Sequence, residues 1–306
     1  MNAADFILQF INDYTVRTIS LGTAITGITC GILGSFAVLR KQSLLGDAIS
    51  HASLPGIVIA YLVTGSKAPL VLFAGALASG LIGTLWIMLI VSKTHLKSDT
   101  ALGIVLSVFF GLGMLLLSGM QKLPDANQAG LDKFLFGQAA TLMVRDVYLL
   151  IAAGGLAIVV VMFFYKEFKI LSFDPQYART IGINTFILDM VLTSLIVLAI
   201  IVGLQIVGVV LMSAMLLAPA AAARQWTNRL SIMLILAAIF GAFSGVTGTA
   251  ISSSMTNLST GPVIVLIASG FVLISFIFGS ERGLALRAIR KLRNRNQLLH
   301  NEPGTN

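Results

Sequence analysis

The chain contains 306 residues, of which 57% are hydrophobic and only 10% are charged, with a formal net charge of +8. A soluble domain carries about 25% charged residues, so this chain has too little charge to cover a globule in water. Its apolar residues form continuous runs about twenty residues long, the length that a helix needs to cross about 30 Å of hydrocarbon. Continuous runs favour helices over the alternating strands of a β-barrel. The sequence therefore predicts an all-α, polytopic transmembrane helical bundle.

The apolar runs predict about nine membrane spans. They cover residues 17–39, 45–64, 69–91, 100–119, 144–165, 184–203, 205–223, 230–251 and 261–279. One turn around Gly203–Leu204–Gln205 must reverse two short helices, so eight spans with one re-entrant segment are the alternative. The N-terminus has no basic region before a short apolar core, and we expect no cleaved signal peptide.

The basic residues are distributed unequally between the two sides of the predicted bundle. Alternate connections and the C-terminal tail hold fifteen of them, whereas the opposite side holds five. Basic residues concentrate in cytoplasmic loops, which predicts an outside N-terminus and a cytoplasmic C-terminus. The tail from Arg282 to Arg295 mixes basic and apolar residues and suits a helix that lies on the anionic headgroups of the lipid bilayer. No aromatic residues accompany these charges, so nucleic acid is not an expected partner.

The segment from Gly46 to Gly56 carries the most informative polar residues. Asp47 and His51 are four residues apart and therefore share one helix face. An ionised side chain at the bilayer centre costs roughly 2.5–3.5 kcal/mol, and a carboxylate with an imidazole suits a first-row divalent metal ion. Pro55 cannot donate a hydrogen bond to the carbonyl of His51, which predicts a kink that frees this oxygen. We interpret Asp47 and His51 as candidate metal ligands.

A plainer alternative is that Asp47 reaches interfacial water and that His51 only packs against other side chains. Two protein ligands are also too few for a closed metal site. A symmetric second copy would raise the number to four, which suits a dimer with the transport path on its axis.

The connection over residues 166–183 contains the signals of a short helix. Asp174 is a suitable N-cap, Pro175 fits the first helical position and Gly182 fits the stop. These signals predict a two-turn helix from Pro175 to Ile181, which serves either as a docking element or as an interfacial connector. The candidate docking residues are Asp174, Pro175, Gln176, Tyr177, Ala178, Arg179 and Gly182.

Several enzyme classes are excluded by the absence of their motifs. The chain has no P-loop motif for ATP, no H-E-x-x-H zinc motif and no G-x-S-x-G nucleophile motif. Its single cysteine, Cys30, lies in an apolar run and is expected to be a small buried hydrophobic residue. We expect no catalytic residue and no permanently bound cofactor.

Six segments resemble the signature of the manganese, zinc and iron ABC-importer permeases. In chain order they are Gly31–Arg40, Ser43–Gly56, Asp99–Val105, Phe134–Gly137, Phe173–Gly182 and Pro219–Arg224. The resemblance runs from about residue 15 to 279 and leaves the terminal extensions outside. It divides the chain into a transmembrane permease domain over 1–280 and a basic cytoplasmic tail over 281–306.

This resemblance implies a fold similar to that of the vitamin B12-type importer permeases and a function in metal uptake. It implies a homodimer, or a pair with a related permease, that rests on two cytoplasmic ATP-binding subunits and receives its metal from an extracytoplasmic binding protein. Asp47 and His51 match the family's metal residues in the transport path, and Pro175–Ile181 occupies the place of the coupling helix. The segment Phe136–Ala140 looks more like the manganese-type members than the zinc-type ones, which favours manganese over zinc or iron.

Two other transport functions remain as alternatives. A permease of the same architecture could carry a chelated iron or a corrinoid, although a bulky cargo needs a wide and mostly apolar path. An ion-coupled secondary transporter usually shows internal repeats with matched broken helices, and Pro55 and Pro219 do not lie in repeated contexts.

Overall fold

The chain was analysed as a computed structural model that describes residues 13–66, 68–120, 137, 142–255 and 258–284. Eleven helices occur in these residues: α1 Tyr14–Leu39, α2 Leu45–Thr64, α3 Pro69–Lys93, α4 Ser98–Met120, α5 Val144–Phe163, α6 Tyr165–Phe173, α7 Pro175–Thr180, α8 Thr185–Val207, α9 Val209–Trp226, α10 Leu230–Ser254 and α11 Thr260–Phe278. The described part is all-α, as the sequence predicts. Residues 285–306, which form most of the predicted tail, lie outside it.

Eight of these helices are long and apolar enough to cross a membrane: α1 to α5, α8, α10 and α11. The remaining predicted span, 205–223, corresponds to α9, an 18-residue helix outside this set of eight that packs against α1, α2, α8, α10 and α11. Val207, two residues before α9 begins, lies beside Gly261 at the beginning of α11. Helix α9 ends at Trp226, whose indole donates a hydrogen bond to Ser275 near the end of α11. Helix α9 therefore runs alongside α11 for most of its length.

The turn between α8 and α9 differs from the sequence-based expectation. It lies at Gly208, five residues beyond Gly203, and the helix α8 continues through Gly203 and Leu204. Gly208 has a φ of 84°, a conformation that residues with a Cβ adopt only with strain. The backbone there also lies against that of Gly137. A glycine within an apolar run therefore reverses the chain where hydropathy alone gives no boundary.

The connections that the charge count assigns to one side do lie together at one end of the bundle. A single cavity there is lined by residues of the α1–α2 turn, the end of α3, the start of α4, the α6–α7 segment and the start of α8. The end of α9 meets the residues after α11 at the same end, where the amides of Glu281 and Arg282 donate to the carbonyl of Gln225.

Close backbone contact joins helices α1 and α10. A Cβ added at Gly27 would collide with the carbonyl of Gly241, and one added at Gly241 would collide with the carbonyl of Gly27. One turn further along, Gly31 lies equally close to the backbone of Ala237. Small residues of this kind allow membrane helices to approach closely without a hydrophobic driving force between them.

We predict that Gly241→Ala lowers the stability of the purified chain, because the new methyl group must push α1 and α10 apart. Overpacking of this kind costs about 1–3 kcal/mol, and the measurement is thermal unfolding in detergent. Gly155→Ala in α5 is the matched control, since a Cβ added there meets nothing within 4 Å. Equal stability of the two variants would contradict the close packing of α1 on α10.

Candidate functional site

Helix α2 carries both candidate metal ligands on one face. Asp47 lies in its first turn and His51 in the second, which corresponds to a separation of about 6 Å along the axis. Both side chains are half-buried, whereas the residues on either side of them, such as Ala48 and Ser50, are buried. The pair therefore occupies a strip of α2 that the rest of this chain leaves partly uncovered.

The imidazole of His51 is held from one side by helix α4. Its ring meets the ring of Phe110 edge to face, with centroids 4.6 Å apart. Its Nδ1 is buried and finds no hydrogen-bond partner among the described residues. A buried ring nitrogen without a partner is unfavourable, so an aromatic contact alone does not explain a histidine here.

Pro55 does not end helix α2, which continues to Thr64. Its ring nitrogen lacks the hydrogen that would bond the carbonyl of His51. One residue along, the carbonyl of Ala52 accepts a hydrogen bond of 2.6 Å from the hydroxyl of Ser79 in α3. The wall of α2 beyond His51 is thus supported by a neighbouring helix, and the predicted free carbonyl remains an expectation.

Helix α9 lies directly beside the start of this strip. A Cβ added at Gly46 would lie 2.9 Å from the Cα of Ser213, so the two backbones are in contact. Ser213, Ala214, Leu217 and Ala221 of α9 are half-buried, and their spacing places them along one side of the helix. Small, partly uncovered side chains of α9 therefore flank the strip that holds Asp47.

The candidate ligand pair has no third member within the chain as described. No group of three or more histidine, cysteine, aspartate or glutamate side chains that could hold a metal ion occurs among the described residues. Cys30 is fully buried elsewhere, with its Sγ 3.9 Å from the carbonyl oxygen of Ala199. One chain therefore presents two candidate ligands on a partly open face, an arrangement that leaves room for ligands from a second copy.

The short helix predicted between two spans is present as α7, one residue shorter than expected. Asp174 caps it by accepting a hydrogen bond of 2.9 Å from the amide of Tyr177, and Pro175 is its first residue. Gly182 follows with a φ of 82°, as the predicted stop requires. Tyr177 is 54% exposed, whereas Ala178 is fully buried within the chain. Helix α7 thus has one exposed face, and its opposite face packs against the rest of the chain.

Sequence reasoning missed the helix that precedes α7. Residues 166–173 belong to the predicted connection 166–183, but together with Tyr165 they form α6, which buries Phe168 and Leu171. The ring of Phe168 meets that of Phe36 of α1, with centroids 5.9 Å apart. The sequence signal for this helix is the spacing of Phe168 and Leu171, an aromatic and an aliphatic residue that lie three positions apart and therefore on one helix face. The packing of α6 against α1 therefore fixes the position at which α7 begins.

An ion pair links α1 to α8 near these short helices. Arg40, the residue that ends α1, contacts Asp189 in the second turn of α8. The exposed fraction of the side chain is 13% for Arg40 and 30% for Asp189. At the start of α8, Thr185 accepts a hydrogen bond of 3.2 Å from the Nε of Arg179 in α7.

The chain is similar in sequence to a known protein family and to several transport proteins. The family model described as "ABC 3 transport family" matches residues 12–279. The chain is 49% identical to the zinc transport system membrane protein TroC of Treponema pallidum (strain Nichols), over 94% of this chain and 96% of that protein. It is 46% identical to the manganese transport system membrane protein MntC of Bacillus subtilis (strain 168), over 90% of this chain and 63% of that protein.

Two solved structures share the fold. PsaBC from Streptococcus pneumoniae in complex with Fab superposes with a TM-score of 0.80 at 33% identity, covering 92% of this chain and 98% of that one. An inward-facing metal-chelate type ABC transporter gives a TM-score of 0.66 at 16% identity over 90% of this chain, a likeness of fold alone. The resemblance expected from the sequence is confirmed: the chain is a multi-pass membrane protein that belongs to the ABC 3 transport family.

Proposed function

We propose that this chain is the membrane-spanning subunit of an ATP-driven importer for a divalent transition metal ion. The observation that carries the proposal is the pair Asp47 and His51, half-buried on one face of a membrane helix. Ionisable side chains inside a membrane mark ion pathways when they face a cavity or a partner. The names of the relatives, which refer to zinc and manganese transport, support a metal as cargo.

The transport site would be completed by a second permease, either an identical copy or a related chain. A two-fold axis beside the partly uncovered strip of α2 would bring a second Asp47 and a second His51 to the first pair. Four ligands of this kind suit manganese, zinc or iron, and a first-row metal is selected by geometry and supply as much as by affinity. Relatives named for zinc and for manganese have similar identity to this chain, so the preference for manganese stays a prediction.

The partners would lie at opposite ends of the bundle. ATP-binding subunits would dock on the outward face of α7 in the cytoplasm, and an extracytoplasmic binding protein would deliver the ion at the other end. The link from α7 to α8 through Arg179 and Thr185, and from α8 to α1 through Asp189 and Arg40, supports this role for α7. Movement of α7 would then be felt at the turn that leads into α2 and Asp47.

The proposal predicts that Asp47→Asn and His51→Asn each abolish metal uptake by the complete transporter while its assembly is retained. Asparagine keeps hydrogen bonding at both positions but is a much poorer ligand. In the purified permease, metal should raise thermal stability, by about 2.7 kcal/mol at a hundredfold excess over Kd, and both variants should lose this shift.

His95→Asn is the control, because His95 lies exposed in the α3–α4 connection. Uptake should be unchanged in this variant. Normal uptake by a well-assembled His51→Asn variant would contradict direct coordination and favour a packing histidine. Uptake by the permease alone in liposomes without ATP would favour the secondary-transporter alternative, and uptake of a chelate but not of the free ion would favour a bulky cargo.

A second prediction separates docking from folding on α7. Tyr177→Asp should weaken association with the ATP-binding subunits while leaving the stability of the isolated permease unchanged, because Tyr177 is exposed. Ala178→Asp should lower the stability itself, since it places a charge in a buried position. Pull-down of the ATP-binding subunit and thermal unfolding measure the two effects. Undiminished association of a stable Tyr177→Asp variant would make α7 a connector only.

The topology is the third prediction under this proposal. An exposed cysteine introduced by Thr64→Cys, at the end of α2, should react with a membrane-impermeant maleimide in intact cells. Thr94→Cys, after α3, should react only after the cells are made permeable. The native Cys30 is fully buried and gives the background in the unmodified chain. The opposite labelling pattern would invert the proposed orientation.

A further inference from the structure

A cavity of about 590 Å³ lies at the end of the bundle that we assign to the cytoplasm. Its volume falls within the range of ligand sites, about 300–1,000 Å³. Asp47 and His51 do not line it, and Leu45, on another side of α2, does. The cavity is therefore separate from the candidate transport site, although Arg40, Arg179 and Asp189 of its lining also form the link from α7 to α1.

The inner wall of the cavity is apolar and extends into the depth of the spans. Ile87, Met88 and Val91 of α3 line it together with Leu102 of α4 and Leu171 of α6. Thr84, the deepest α3 residue in the lining, is nine residues from the end of that helix at Lys93, which corresponds to about 14 Å. At this depth in a membrane the surrounding medium is hydrocarbon, so an acyl chain fits the wall.

The mouth of the cavity is basic. Arg40, Lys41 and Arg179 line it, and Asp189 is the only acidic residue in the lining. Asp189 is already paired with Arg40, and yet Nη1 of Arg40 is buried with no hydrogen-bond partner among the described residues. This nitrogen can still donate a hydrogen bond to an oxygen acceptor, and an anionic acceptor gives the stronger bond. The excess positive charge repels a divalent metal ion and attracts a phosphate group.

We propose that this cavity binds one anionic phospholipid, with its phosphate at Arg40, Lys41 and Arg179 and an acyl chain along Ile87, Met88 and Val91. Basic pockets between membrane helices on the cytoplasmic side suit anionic headgroups. A segment of a partner protein fits less well, because its backbone polar groups would enter an apolar wall without hydrogen bonds. A free phosphate would satisfy the mouth but leave the apolar interior unused.

Native mass spectrometry of the complete purified permease tests this proposal with lipids of matched acyl chains. Phosphatidylglycerol should bind one molecule per chain and resist removal, whereas phosphatidylcholine should exchange freely. Lys41→Asn combined with Arg179→Gln should weaken phosphatidylglycerol binding about twenty-fivefold, since each basic side chain near an anionic headgroup contributes a factor of about five. Asparagine is chosen at Lys41 because that residue has a φ of 57°.

Two further variants keep the test independent of misfolding. Asp189→Asn removes the acidic residue of the lining and should strengthen phosphatidylglycerol binding, a gain that a damaged protein does not produce. Met88→Trp fills the apolar interior and should reduce lipid binding while leaving the basic mouth intact. Lys166→Gln with Lys169→Gln is the matched control, because both lysines are exposed on α6 and neither lines the cavity.

The outcomes distinguish the possible occupants. The proposal is supported if phosphatidylglycerol binding falls in the Lys41→Asn/Arg179→Gln variant and in Met88→Trp, but not in the Lys166→Gln/Lys169→Gln control. Equal binding of the two lipids by the unmodified permease overturns it. Full displacement of the lipid by millimolar inorganic phosphate, or an unchanged affinity in Met88→Trp, identifies a free phosphate instead. If the cavity binds no lipid, and if addition of the ATP-binding subunit protects its lining residues from chemical labelling, the occupant is a protein.

Discussion

Direct contact between helix backbones is the constraint on which this bundle depends. Lipid tails are as apolar as leucine side chains, so burial of apolar surface gives membrane helices little reason to associate. Here the association rests on glycines that let one backbone touch another. Gly27 meets Gly241, Gly34 meets the carbonyl of Leu216, and Gly56 meets Gly75. These contacts fix α1, α2 and α9 relative to their neighbours, and the candidate site is built on α2 and α9.

The same constraint accounts for where polar atoms are tolerated. Most buried hydroxyls donate to a carbonyl of their own helix, as Ser35 does to Gly31 and Ser53 does to Ser50. Such bonds satisfy the side chain without requiring a partner helix. His51 departs from this pattern, because its buried Nδ1 has no partner among the described residues. The hydroxyl of Ser50, the preceding residue of α2, is also buried without a partner among the described residues. Two adjacent polar side chains of this helix therefore lack the local hydrogen bond that Ser53 makes.

The sequence predicted the helices well because hydropathy and capping are local properties. The spans, the Asp174 cap, the Pro175 start and the Gly182 stop all follow from neighbouring residues, and the structure confirms them to within a few positions. The α8–α9 turn was misplaced because Gly203 and Gly208 are equally plausible breakpoints in an apolar run. Only tertiary contacts decide between them: Gly203 packs against Met212, while Gly208 adopts a positive φ.

The candidate site was only partly predictable for the same reason. The four-residue spacing of Asp47 and His51 is visible in the sequence, but the partner of His51 in α4, Phe110, is 59 positions away along the chain. The contact of Gly46 with Ser213 and the pairing of Arg40 with Asp189 are likewise long-range. No local rule pairs a given arginine with a given aspartate across such distances.

The Arg40–Asp189 ion pair takes part in both proposals, the link from α7 to α1 and the lipid-binding cavity. Arg40 ends α1 immediately before the turn into α2, and Asp189 lies in the second turn of α8, the helix that follows α7. Both residues also line the basic cavity. An anionic headgroup at Arg40 would compete with Asp189 for the same guanidinium, so lipid binding and the α1–α8 link would be thermodynamically coupled. Because such coupling is reciprocal, any motion of α7 that loosens Asp189 from Arg40 would also tighten the lipid. The cavity is thus placed where membrane composition could bias the step that connects α7 to Asp47.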